Sequence, residues 1–422
     1  MLNTFHQTLI GRVAITLAFL SVALGCPEML LAFDTEDWID RIQAHGFASQ
    51  GYLASDQNNY YADTEHGSFE FNEFGLAVVV NPIERITVGM QLLSRDLGEI
   101  GNNEIQLDWA YGTYRWRDWF GISAGQLKMP WGFYNETRDI DLLRPSIFLP
   151  SSLYDEKMRD VYSSYTGVSI GGDILNEHVG SITYSAGYGE KIVSDSTSAY
   201  LLTLSEDIFQ NTQASISNLF LAKFDWETPL PGLRVGTTFL HGQLEFSADT
   251  NSHPVWLENN IAPGTPILKN TEDDLVFILS AEYTRNNLTI AAEYQKEHEY
   301  NQVARNPSSG AFKRGDGTNS EGYYVSLAYR LTKWLQCGAY YSVYYPDTDD
   351  KDGKFLEENG SPAFDAWQKE MALTARFDLT EQWLLKFEGH AINGTAGVPE
   401  FANLDGLNED SFLFAIKTTF SF

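Results

Sequence analysis

The chain is nearly free of cysteine: Cys26 and Cys337 are the only two in 422 residues. No Cys-x-x-Cys pair exists for zinc, haem attachment or redox exchange. Cys26 falls inside an N-terminal leader, so one thiol would remain and no internal disulfide could form. Positive charge is also scarce. Lys and Arg number 28 against 57 Asp and Glu, for a formal net charge of −29. Nucleic-acid binding needs a basic footprint, and that class is excluded. The eight histidines are scattered with no His-x-x-x-His pair, and no motif joins serine, histidine and aspartate into a catalytic set. Neither a metal nor another cofactor is expected, and the chain does not read as an enzyme. Long apolar runs are missing beyond the leader. No later segment offers the roughly 20 apolar residues of a membrane helix.

Residues 1–32 have the layout of a secretory leader: His6 and Arg12, an uncharged run from Val13 to Gly25, then Leu30-Leu31-Ala32 before acidic sequence begins at Asp34. A lipoprotein leader acylated at Cys26 is the rival reading. Residues 33–43 break the pattern that follows and are expected to form a short periplasmic segment.

What is abundant is aromatic side chain, 14% with 22 Tyr and 26 Phe, although mean hydropathy is only −0.26. Such a chain suits a sheet with one lipid face and one wet face. From residue 44 to 422 the pattern has period two, the mark of a strand whose two faces differ. Phe412, Phe414, Ile416 and Phe420 alternate with Leu413, Ala415, Lys417 and Thr419. Leu288 and Ile290 alternate with Thr289, Ala291 and Glu293, and Leu385 and Phe387 with Lys386 and Glu388. The apolar sets should face outward and the charged sets inward. Cys337 should face lipid beside Ala339, Tyr341 and Val343.

The connections alternate in length. Short turns are expected at 81–84, 117–118, 174–178, 229–232, 286–287, 331–333 and 380–382. Long loops are expected at 56–67, 96–103, 129–160, 190–215, 247–272, 300–319, 346–366 and 394–409. Tight turns on one rim and long loops on the other are the habit of bacterial outer-membrane barrels. The expected fold is all-β, a transmembrane antiparallel up-and-down barrel of about sixteen strands. Trp109, Trp116, Trp119, Trp226, Trp334 and Trp383 are expected to form an interfacial girdle.

Two stretches resemble known families. Gly125-Gln126-Leu127-Lys128-Met129-Pro130-Trp131-Gly132 resembles the G-[QR]-x-K-x-P-[FW]-G motif of phosphate-selective porin O/P-like proteins. His45-Gly46-Phe47-Ala48-Ser49-Gln50-Gly51-Tyr52 looks like the first strand of related proteobacterial porins, and the aromatic Phe422 resembles the C-terminal signal of outer-membrane barrels. The resemblance implies a sixteen-stranded barrel with an inward third loop, often a homotrimer, in the outer membrane of a Gram-negative bacterium. Lipid and lipopolysaccharide would surround it, and small solutes and ions would pass through it. The residues after the motif depart from the family's basic constriction, because carboxylates there are as frequent as cations.

Loop 129–160 is the longest connection and joins charges to an apolar block. An inward course would bury the block and present the charges to the pore. The expected constriction residues are Arg138, Asp139, Asp141, Arg144, Lys157 and Arg159. Expected wall residues are Asp108, Lys128, Lys223, Arg234, Glu293, Arg330, Arg376, Lys386 and Glu388, because each would be costly in lipid. The function expected is passive diffusion of small hydrophilic solutes with weak cation preference. The alternatives are the barrel sheath of a porin–cytochrome electron conduit and an outer-membrane barrel enzyme. Asp347 to Gly353 resembles the start of a calcium loop, with an acidic outer loop as the plainer reading.

Overall fold

In the computed structural model the described residues are 41–98, 100–176, 178–193, 209–252, 257, 261–305, 312–314, 317–398, 402–403 and 406–422. The expected leader 1–32 and residues 33–40 of the expected segment 33–43 lie outside them, while Ile42 and Gln43 of that segment already pair, within the first strand, with Val80 and Val79. The strands are β1 (Ile42–Ser55), β2 (Phe71–Ile83), β3 (Ile86–Leu97), β4 (Ile105–Arg117), β5 (Phe120–Lys128), β6 (Ser164–Asn176), β7 (Gly180–Val193), β8 (Phe209–Glu227) and β9 (Leu233–Thr250). They continue with β10 (Pro266–Arg285), β11 (Leu288–Arg305), β12 (Phe312–Arg314), β13 (Thr318–Arg330), β14 (Leu335–Tyr345), β15 (Gln368–Asp378), β16 (Trp383–Asn393) and β17 (Asp410–Ser421).

All pairings are antiparallel, and β1 pairs with both β2 and β17, which closes the sheet. The three-residue β12 pairs only with β11, and β11 also pairs with β13, so sixteen strands form the ring. Closure leaves no edge whose N–H and C=O groups would have to sit unpaired in lipid. Both barrel ends meet at one rim, where Gly46 and Phe422 exchange backbone hydrogen bonds of 2.9 Å each.

The faces separate as alternation requires. On β17, Ser411, Leu413, Ala415, Lys417 and Thr419 are buried, while Phe412 and Phe420 are exposed. On β16, Lys386 and Glu388 are buried, at 0% and 1% exposure. A belt of exposed apolar residues surrounds the barrel, among them Ile122, Val168, Phe224, Leu279, Leu327 and Leu373. A one-residue slip would have reversed every one of these.

Two expectations need correction. Trp109 is not part of the girdle. A bulge between Gln91 and Leu92 on β3 admits Asp108 as an extra residue on β4, and Trp109 turns inward, 7% exposed, beside Tyr111. Trp116, Trp119, Trp334 and Trp383 do stand exposed near the short turns. The strands also outrun the alternation. β8 to β11 have 18 to 20 residues, so parts of expected loops 190–215, 247–272 and 300–319 continue the ladder. Backbone pairing needs no lipid, so a hairpin can continue into water with polar residues on both faces.

Cys337 pairs in register with Tyr329, which is 44% exposed on the outer face. Val343 shares that parity but is only 2% exposed, flanked in register by Tyr323 and Lys369. In the folded protein reconstituted in lipid, a charged thiol reagent should label Cys337 slowly, with fast labelling restored by unfolding in denaturant. Fast labelling before unfolding would place the thiol in the lumen.

Candidate functional site

The loop between β5 and β6 enters the lumen, and the motif at its start explains how. At Gly125 the backbone has φ +130°, and a Cβ there would lie 2.4 Å from the Ala110 carbonyl. The Gln126 amide donates to Leu107 O (2.8 Å), Asp108 O (3.0 Å) and Ser164 Oγ (3.1 Å), tying the strand end to its neighbours. Lys128 Nζ donates to Glu136 O at 2.6 Å, closing the first loop turn. Trp131 is 1% exposed, donates to Leu153 O at 3.0 Å and stacks on Tyr162 with centroids 4.1 Å apart. At Gly132, φ is +54° and a Cβ would meet Tyr154 Oη at 2.3 Å and Glu293 Oε1 at 2.7 Å. The motif residues therefore shape the turn into the barrel.

Burial of the loop's apolar block provides the driving force. Met129, Trp131, Leu149, Leu153 and Val161 pack on Leu219, Leu221, Leu240, Val276 and Ile278 of the inner wall. Ile147 and Phe148 join a second cluster with Leu53, Phe71, Leu413 and the outer loops.

Polar anchors then fix the loop to several strands. Glu293 on β11 is 2% exposed and accepts four hydrogen bonds: Phe133 N (2.8 Å), Tyr154 Oη (2.5 Å), Tyr324 Oη (2.6 Å) and Ser280 Oγ (2.5 Å). Glu388 on β16 accepts from the amides of Ile147 (2.8 Å) and Phe148 (3.0 Å). Lys386 donates to the carbonyls of Asp141 and Ser146, both at 2.9 Å. Arg376 donates to Leu142 O (2.6 Å) and Arg144 O (3.1 Å), so two wall cations cap loop carbonyls. On the opposite wall, Arg95 of β3 pairs with Glu156 and Asp160, both at 3.1 Å.

The expected constriction charges are turned into this network and not toward an open path. Arg138 bonds Glu156 at 2.8 Å. Arg159 bonds Asp139 (2.7 Å) and Asp108 (3.3 Å), and its side chain is 4% exposed. Asp141, 2% exposed, takes Lys417 (2.9 Å), Arg144 (3.2 Å) and Lys386 (3.3 Å). Lys157 lies beside Asp155 at 3.6 Å. Burial alone would raise the Glu156 carboxyl, but the guanidiniums of Arg138 and Arg95 outweigh it and hold the group at about 2. The reason is dielectric. A charge on a loop packed against a wall of opposite charges is stabilised by pairing, since burying it unpaired is expensive.

The space that the loop leaves lies on the other side. A recess of about 390 Å³ runs along β4 to β7, lined by Tyr111, Thr113, Arg115, Ser123, Lys128 and Glu136, with Tyr165, Ser169, Asp173, Thr183 and Ser185 beyond them. Next to it Lys223 bridges Glu136 (2.8 Å) and Asp225 (3.5 Å). Arg234 faces Glu282 at 3.5 Å and lies 4.0 Å from the Phe133 ring centroid. Of the expected wall residues, Lys128, Lys223 and Arg234 thus border this space, and Asp108, Glu293, Arg376, Lys386 and Glu388 anchor the loop. Arg330 stands apart near the short turns, on Asp378 at 2.7 Å.

Sequence reading missed Arg95, Glu73, Glu370 and His390. All four sit at inward positions of alternating strands, so extending the alternation to β2, β3, β15 and β16 would have found them. Glu370 and His390 lie 2.6 Å apart. The calcium-like segment is a helix cap: Asp350 accepts from Phe355 N (2.9 Å) and Leu356 N (3.0 Å). Among the described residues no group of acidic, histidine or cysteine side chains could hold a metal ion.

The fold is shared with solved outer-membrane channels. The chain is similar to OprB of Pseudomonas putida at high pH, with TM-score 0.56 and 11% identity over 95% of this chain and 97% of that one. It is similar to Salmonella typhi OmpF in complex with daunomycin, TM-score 0.56, 12% identity, over 90% and 97%. It is also similar to the outer-membrane channel DcaP of Acinetobacter baumannii, TM-score 0.53, 10% identity, over 90% and 97%. No family model and no curated protein matches the chain. At these identities the likeness is one of fold.

Proposed function

We propose that this barrel is an outer-membrane pore of a Gram-negative bacterium, through which small hydrophilic solutes and ions diffuse passively. The observation that carries the reading is an inward loop that crosses the lumen yet leaves a polar recess along β4 to β7. A leader at 1–32 would export the chain, lipid and lipopolysaccharide would surround it, and a homotrimer is the expected assembly. Purified protein added to a planar bilayer should give stepwise, ohmic current increments; a folded, inserted barrel without conductance would overturn the reading. The electron-conduit sheath needs a lumen wide enough for a polypeptide, and a loop bonded to both walls disfavours it. An enzyme would need a catalytic set facing the recess, and its lining offers hydroxyls and ion pairs without a histidine.

Selectivity follows from the charges beside the recess. Arg115, Lys128, Lys223 and Arg234 face Asp173, Glu136, Asp225 and Glu282, four of each sign. This near balance leaves the field of the whole chain, at −29, to set the preference. An acidic surface concentrates cations near the mouth, and salt weakens the effect. The expected result is a weak cation preference in reversal potentials across a salt gradient, fading at high salt. Anion preference with block by phosphate would instead support the phosphate-selective resemblance.

A further inference from the structure

Alternation turns Gln368, Glu370, Ala372 and Thr374 of β15 inward, together with Lys386, Glu388, His390 and Ile392 of β16. In the register His390 lies opposite Ala372, Glu370 opposite Ile392 and Glu388 opposite Thr374. The small Ala372 leaves the imidazole room between the two glutamates. Its Nδ1 is 2.6 Å from Glu370 Oε1. Its Nε2 is 3.1 Å from Glu388 Oε1, a bent contact within ion-pair range but outside hydrogen-bond geometry. His390 is 1% exposed, and both glutamates are buried with it.

Both glutamates hold the inward loop. Glu370 accepts from Ser151 Oγ at 2.6 Å and from Tyr340 Oη at 2.8 Å. Glu388 accepts from the Ile147 and Phe148 amides and from Thr374 Oγ1 at 2.7 Å. The Phe148 ring lies 6.0 Å from the imidazole, centroid to centroid. Two buried carboxylates joined through one side chain need a positive charge or a proton between them. Lys386, two positions back on β16, is committed to Asp141 and to loop carbonyls. The imidazole can supply the charge. A neutral ring has one N–H and one lone pair. With the proton on Nδ1, the Nε2 lone pair would face Glu388 Oε1; with the proton on Nε2, the Nδ1 lone pair would face Glu370 Oε1. Either tautomer sets a lone pair against a buried carboxylate oxygen. The imidazolium avoids both.

We propose that His390 is a positioning residue for the loop that narrows the lumen: a buried imidazolium whose one charge lets Glu370 and Glu388 stay ionised together and moor Ser151, Ile147 and Phe148. The proposal deepens the pore reading by naming the charge that sets the loop's place. The ring never faces the solute path; it acts through the glutamates. Water scarcely screens the group. A cavity of only about 30 Å³ adjoins it, with Tyr60, Tyr61, Leu149 and Ile392 among its walls. At such low polarity an ionic contact is strong and an unpaired charge is costly.

The test uses the full chain, folded in detergent. With nitrogen-15 in its histidines, the ring whose signals vanish in a His390 variant should show both nitrogens protonated at neutral pH. In His390→Gln, trypsin should cut after Arg144 and Lys157 at least about tenfold faster than in the wild type, the scale of one buried charge left uncompensated. Adding Glu370→Gln to that variant should restore resistance. It removes the surplus charge, and the amide oxygen still accepts from Ser151 and Tyr340. A side chain that only fills space would gain nothing from this second change. If His390→Gln alone fails to reach the heat-modifiable folded form, the double variant should reach it and serves for the spectral assignment. A singly protonated ring, unchanged proteolysis in His390→Gln, or a double variant that folds or resists no better than the single would each overturn the proposal. None of these readouts needs conductance, so a loop held by His390 in a barrel that passes no current would refute the pore reading alone.

Discussion

Alanine at position 293 should release the inward loop from the wall. Glu293 is the shared acceptor of Phe133 N, Tyr154 Oη, Tyr324 Oη and Ser280 Oγ, and two of these donors belong to the loop. Each buried donor left without an acceptor costs about 1–3 kcal/mol, so the total destabilisation should be on the order of 3–6 kcal/mol after local rearrangement. The barrel's own ladder does not depend on this residue. Strand pairing should survive, and the damage should fall on the segment around residues 132–154. Two readouts follow. Unit conductance should rise and show noisy substates, because the element that narrows the lumen would move. Trypsin should cut at Arg138, Arg144, Lys157 or Arg159, which the folded wild type buries or pairs. Glu293→Gln should be intermediate, since an amide oxygen can still accept but its NH2 group faces donors. If alanine leaves conductance and tryptic resistance unchanged, the apolar packing alone holds the loop.

Glu293 also shows what the sequence could and could not reveal. Its inward direction was legible, because Leu288 and Ile290 alternate with it and a charge in lipid is costly. Its four partners were not. Phe133 and Tyr154 lie on the loop and Ser280 and Tyr324 on two strands, β10 and β13, and contacts across a lumen leave no trace in local periodicity. The same holds for the loop charges. Arg138, Asp139, Asp141 and Arg159 read as pore-facing because a loop rich in charge looks solvated. Their counter-charges on the wall, Asp108, Lys386 and Lys417, come from strands far apart in the chain. Only folding shows that they neutralise one another away from water. The ring itself was legible because turn length, strand length and period two all express a single constraint, closure in lipid. The long strands β8 to β11 escaped because above the membrane that constraint ends and alternation with it. The Gly125–Gly132 motif was visible as a resemblance, but its physical content is steric: Gly132 stands where a Cβ would strike Tyr154 and Glu293.

Substitution of Asp141 by asparagine should have the other large effect, through charge instead of hydrogen-bond count. This one carboxylate is shared by Lys417 (2.9 Å), Arg144 (3.2 Å) and Lys386 (3.3 Å), and it accepts from Thr419 Oγ1 at 2.7 Å. Asparagine fits the space but leaves three buried cations with less counter-charge. Lys417 keeps Glu73, and Lys386 keeps the Asp141 and Ser146 carbonyls. Arg144 fares worst, because its Nε and Nη1 already lack partners. Removing one member of a buried ion group typically costs about 3–5 kcal/mol. Protonation should imitate the substitution. Burial pushes the Asp141 carboxyl up, but Lys386, Lys417 and Arg144 outweigh it and hold it well below the usual carboxylate range. A depressed folded pKa means that this stabilisation is complete above the unfolded value, about 3.9, and fades as pH falls through the folded value. Glu156, held at about 2 and paired with Arg138 and Arg95, behaves the same way. In the wild type the loop should therefore resist pepsin at pH 4 and become cleavable toward pH 2. In D141N the loop should be susceptible already at pH 4, with raised conductance at neutral pH. Equal pepsin resistance of the two proteins across this range would show that Asp141 does not hold the loop by charge.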